Sequence, residues 1–196
     1  MGWAHAAAVA LIVAAIAGGA SAQDRGPPDP AALLKAQKAA MTALDWTHGR
    51  WQGPAWSTNA AGRHEIIQTE RVGTMLDGSL VAIEGKSFET DGKPAAFNAF
   101  GIMSYDPDRK AFAFHSYAQG RAGEFPLEVT PAGYVWTIAA GPSKIRYTAT
   151  HTADTWREVG EFVRPDGGVT QIFEMNLRRV GDTDWPMAGQ AKGPQK

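Results

Sequence analysis

The sequence predicts an all-β protein: a roughly ten-stranded antiparallel up-and-down β-barrel preceded by one capping α-helix. Three observations predict it. The apolar spacing changes from a period of about 3.6 to a period of 2 at Gly49. Nine turn signals then divide the chain into ten strand-length pieces, and no piece is long enough to hold a helical crossover. The composition supports a packed core, with 44% hydrophobic and 10% aromatic residues in 196.

The chain opens on twelve apolar residues, 6–17. At about 1.5 Å per residue that run is too short for a bilayer core of roughly 30 Å. Ala20-Ser21-Ala22 follows with the small-x-small pattern of a signal-peptidase site, and then come polar Gln23, Asp24 and Arg25. Residues 1–22 therefore read as a signal peptide and 23–30 as a linker. The expected location is periplasmic or secreted, with no stable membrane insertion once the signal is removed. Asp29-Pro30 reads as an N-cap with Pro in the first helical position. Leu33, Ala36, Ala40 and Leu44 form one apolar stripe, widened by Leu34 and Met41 and interrupted by Gln37.

From Gly49 the turns are centred on Gly62, Gly78, Gly92, Pro107, Gly120, Gly133, Gly141, Asp154 and Gly167. Short strands joined this way should pair as an antiparallel meander, and closure into a barrel removes their edges. A two-sheet sandwich is the competing arrangement. Alternation is clear in four segments: Tyr134-Trp136-Ile138, Ile145-Tyr147-Ala149, Trp156-Gly160-Phe162 and Val169-Phe173-Met175-Leu177. The strands around Ile66 and Phe100 do not alternate cleanly, and their facing stays open. Helix and barrel together span 31–180, and 181–196 reads as a flexible tail.

A helix running into Gly49-Arg50-Trp51, with Arg178-Arg179 closing the last strand, resembles the lipocalins and their calycin relatives. That resemblance implies a barrel-end pair of Trp51 and Arg179, with the guanidinium over the indole face, a contact of order 1 kcal/mol when desolvated. The run Gly101-Ile102-Met103-Ser104-Tyr105-Asp106 is similar to a turn motif in a bacterial family of calycin-like domains of unknown function. That family implies a fold and a cavity, and no catalytic residue. The ten strands also resemble nitrobindin barrels, which hold haem through a His near the chain end. The last His here, His151, departs from that pattern by two strands.

Parity places Tyr147, His151, Glu158 and Gln171 inside the barrel, walled by Tyr134, Trp136 and Trp156. A mostly apolar hollow with a few convergent polar groups is the usual form of a ligand pocket. The first expectation is therefore a small hydrophobic ligand oriented by Tyr147, Glu158 and Gln171, with no cofactor. An enzyme using Glu158 or His151 as acid–base, with Tyr147 holding a carbonyl, is an alternative. So is a haem protein using His115 or His151, or a filled barrel that binds another protein on its outer surface. His64-Glu65 is half of a zinc motif, but position 68 is Gln and the segment reads as strand, so no metal site is expected. With no Cys, thiolate chemistry is excluded. A net charge of −1 and the lack of a basic aromatic strip speak against nucleic acid. No nucleophile elbow, P-loop or dinucleotide fingerprint is present.

Overall fold

The computed structural model describes residues 29–59, 61–189 and 191. The apolar run 6–17, the Ala20-Ser21-Ala22 motif and most of the linker lie outside the described residues. Among the described residues, no helix is long and apolar enough to cross a membrane.

The helix α1 (Pro30–Met41) starts where Asp29 accepts a 3.0 Å hydrogen bond from the Ala31 N–H, with Pro at the first position. It runs on as a 3-10 helix, Thr42–Thr47. The face turned to the barrel is Leu33, Gln37, Ala40, Met41 and Leu44; Ala36 is exposed and Leu34 is 46% exposed. The predicted stripe is therefore rotated. Gln37, which interrupts it, is used rather than tolerated: its Nε2 donates to the Tyr105 carbonyl at 3.0 Å.

Ten strands follow: β1 (Gly49–Asn59), β2 (Gly62–Met75), β3 (Leu80–Phe88), β4 (Pro94–Asp106), β5 (Ala111–Ala118), β6 (Arg121–Thr130), β7 (Gly133–Ala140), β8 (Ser143–His151), β9 (Thr155–Val163) and β10 (Val169–Gly181). Each pairs antiparallel with its neighbour in sequence, and β1 pairs with β10 to close the barrel. The sandwich is excluded. At the seam Trp51 faces Arg179, Ala55 faces Met175 and Ser57 faces Phe173.

The two strands that did not alternate are now explained. In β2 the inward, buried set is Ile66, Gln68, Glu70 and Val72, so two polar residues occupy the core face. In β4 the inward set includes Gly101 and Met103, while Phe100 points outward onto the Trp185 ring. That second contact belongs to the C-terminal segment. The described part of the expected flexible tail lies along the outside of the barrel. The Arg71 guanidinium sits 4.4 Å from the Trp185 ring centre, Arg50 Nε donates to the Asp182 carbonyl at 3.1 Å, and the Trp185 carbonyl presses on Gly73, where a Cβ would collide. The end of the barrel nearest α1 is plugged by aromatics. Trp51 and Trp156 are each 1% exposed and meet edge to face at 5.8 Å, and Trp46 packs against Trp156 at 5.4 Å. Trp51 Nε1 donates to the Thr47 carbonyl at 2.7 Å, which ties the 3-10 helix to the plug.

Candidate functional site

Above the aromatic plug, two buried carboxyls point inward from β9 and β2, strands separated by β10 and β1. Glu158, inward on β9, accepts from the Tyr134 hydroxyl at 2.8 Å and from Trp136 Nε1 at 3.4 Å, both on β7. Glu70, inward on β2, accepts from Gln68 Nε2 at 2.8 Å, and the Gln68 amide is fixed in turn by the Ser87 hydroxyl at 2.7 Å. Gly85 lies opposite Glu70 in the β2–β3 ladder, and a Cβ there would stand 2.8 Å from a Glu70 oxygen. The absence of that side chain makes room for the carboxylate.

Both acids are buried, and burial penalises their charged forms. It raises Glu158 to about 7, against the pull of its hydrogen bonds from Tyr134 and Trp136. It raises Glu70 to about 8, opposed by Gln68 and reinforced by the charge on Glu158. Burial also pushes the Tyr147 hydroxyl up to about 12 and the Tyr134 hydroxyl well above its usual range, with Glu158 adding to both. Glu158 is thus a carboxyl that changes charge near neutrality.

One wall of the lumen is aromatic. Trp136 and Tyr147 stack at 4.3 Å and 10°, Phe114 meets Trp136 at 4.9 Å, and Phe173 meets Tyr147 at 6.1 Å. All four residues point inward and are half-buried. Two hollows border other parts of the molecule: one of about 310 Å³ is lined by Trp51, Glu70, Arg71 and Glu84 among others, and one of about 420 Å³ by Trp46, Pro131 and His151. Glu158 and the aromatic wall lie inside the barrel, and Glu70, inward on β2, also lines the smaller hollow, so the inward face of the barrel is the site of interest.

The predicted site residues divide accordingly. Tyr134, Trp136 and Glu158 form one hydrogen-bonded group, with Trp156 beneath it and Tyr147 beside it. His151 is elsewhere: its ring stacks on Trp46 at 4.2 Å and 4°, and it borders the larger hollow. Gln171 is on the outer surface, where its Nε2 donates to Glu174 at 3.0 Å. The cause is a register shift between Gln171 and Phe173, which reverses the parity that Phe173 implied. Arg179 is adjacent to Trp51 in the ladder but does not cover its ring. Its Nη2 donates instead to the His48 carbonyl at 3.3 Å and to Asp182 at 2.6 Å.

The two histidines considered as haem ligands do not fit that role from the lumen. His115 is on the outer face of β5, 3.9 Å from Glu124, and His151 is held in its stack. His64 Nε2 lies 3.2 Å from Glu89, and among the described residues no three His, Asp or Glu side chains gather as metal ligands. The reading of the sequence missed Glu70 and its Gln68–Ser87 support. Their signal was the broken alternation around Ile66, in which polar residues held inward positions.

These features define the fold class. The chain is similar to Rv2717c from M. tuberculosis, with 13% identity, coverage of 71% of this chain and 96% of that one, and a TM-score of 0.53. It is also similar to the S-type phycobiliprotein lyase CPES from Guillardia theta, with 12% identity, coverage of 80% and 100%, and a TM-score of 0.47. The molecule is a calycin-like barrel domain. No family model matches the chain, and no curated protein matches it.

Proposed function

We propose that this barrel carries a small, largely apolar molecule in its lumen, in the periplasm or outside the cell after removal of residues 1–22. The observation that carries the reading is the partial exposure of Phe114, Trp136, Tyr147 and Phe173 on inward positions. Covering such rings with a guest releases roughly 25 cal/mol per Å² of apolar surface. Glu158, Glu70 and the Tyr147 hydroxyl, which bonds to no described residue, supply the few polar contacts that orient a guest. Gln171 has no part in this. A proton affinity near neutrality also suits Glu158 to general acid–base work on a bound guest. In that second reading His151 is not its partner.

Native mass spectrometry of the protein taken from its own host tests both parts. The expected spectrum shows a chain that begins at Gln23, together with a population heavier by the mass of one small molecule. A chain still carrying residues 1–22 contradicts the export reading. A bare chain that also takes up no apolar compound from a mixed panel contradicts the carrier reading.

A further inference from the structure

Three donors converge on Glu158. Two are bonded to it, the Tyr134 hydroxyl and Trp136 Nε1. The third is Trp156 Nε1, which lies close enough to Glu158 to stabilise its charged form, yet this buried nitrogen has no hydrogen-bond partner among the described residues. Such a set suits a carboxylate, because a proton on either oxygen would take up acceptor capacity that these donors use. A second buried carboxyl, Glu70, points inward from β2, three strands away around the barrel. Among the described residues, neither carboxylate is ion-paired or hydrogen-bonded to a Lys, Arg or His. Unpaired, both carboxyls are pushed by burial toward their neutral forms, and the described residues supply no positive partner that would let them ionise. A metal ion is a poor candidate, since two carboxylates without a third ligand do not complete a cage. The neighbouring surface is instead the aromatic wall, whose ring faces attract organic cations.

We infer that the guest is an amphiphilic organic cation, with its ammonium group held by Glu158 and Glu70 and its apolar body along Trp136, Tyr147, Phe114 and Phe173. This rests on the carrier reading above and adds the charge of the guest to it. A cation competes with protons for the two carboxyls, so a guest of fixed charge binds more tightly as pH rises from about 6 to about 9. The other titratable groups near the pair are Tyr134 and Tyr147, which ionise above that window, and Glu84, from the neighbouring strand β3.

The test uses the full chain and quenching of its Trp emission. The probes are benzyltrimethylammonium, its uncharged isostere neopentylbenzene, and the anion phenylacetate. At pH 8 the cation is expected to bind about tenfold tighter than the isostere, with phenylacetate weakest, and the ratio should shrink toward one below about pH 6. Glu158→Gln and Glu70→Gln should each remove most of the cation's advantage while leaving the isostere within about threefold. Should either variant fail to fold, the pH series on the unaltered protein decides alone. Isostere and cation binding equally well, with no dependence on pH, would overturn the cation assignment and leave the carrier reading standing. Failure of all three probes to bind would remove both.

Discussion

Glu158 and Glu70 hold a proton more tightly in the folded barrel than in the open chain, because burial penalises each carboxylate and the first to ionise penalises the second. Between the ordinary carboxylate range and about pH 8 the folded state therefore binds more protons than the unfolded one. Stability supplied by these two groups is complete in mild acid and is lost as pH rises through about 7 and then about 8. The loss approaches 1.4 kcal/mol per pH unit for each group over the span in which only its unfolded form is ionised. Thermal melts should accordingly show the midpoint falling from about pH 5 to about pH 8, and the double variant Glu70→Gln/Glu158→Gln should flatten that slope. A midpoint that rises across this range, or a slope unchanged in the double variant, would mean the two acids are solvated. The sequence offered only half of this pair. Glu158 was legible because Trp156, Gly160 and Phe162 set a clean parity around it. Glu70 was not, because Gln68 and Glu70 are polar on the core face and become intelligible only once Ser87 and Gly85 are brought opposite them.

At the level of single elements, α1 and the 3-10 helix act as a stopper whose grip is set by which face they turn inward. Leu44 is 0% exposed at the plug, whereas Leu34 faces water despite belonging to the same apolar stripe in sequence. Leu44→Ala should cost about 2–5 kcal/mol, and Leu34→Ala no more than about 0.5 kcal/mol, by urea unfolding. The opposite order would mean that the helix turns Leu34, and not Leu44, toward the barrel. Helical spacing alone cannot choose between two adjacent faces when both carry Leu. Gln37 lies on the face that is used, where it finds a backbone acceptor on Tyr105 that no local pattern announces. The last strand shows the same limit. Its period-2 pattern located Phe173, Met175 and Leu177 inside, but a single bulged residue put Gln171 outside, and a bulge leaves no mark in hydropathy. Arg179 was drawn from Trp51 to Asp182, a partner in the segment that reads as tail.

For the molecule as a whole, closure was the most legible property: short strands, frequent turns and no crossover leave few ways to hide ten edges, and β1 meets β10. What the sequence could not show is how the aromatic residues divide between lumen and exterior, because both kinds lie in alternating strands. Of the 7 Trp, Trp51, Trp136 and Trp156 belong to the interior, while Trp56, under Arg63, and Trp185, under Arg71, are on the outside. That division provides the most direct test of an open, guest-holding lumen. The indole N–H signals of nitrogen-15-labelled protein would be followed by NMR during titration with an apolar guest. The account predicts saturable shifts at Trp136 and Trp156 at one guest per chain, with Trp56 and Trp185 unmoved. Shifts confined to Trp56 and Trp185, or no saturable shift at all, would contradict it.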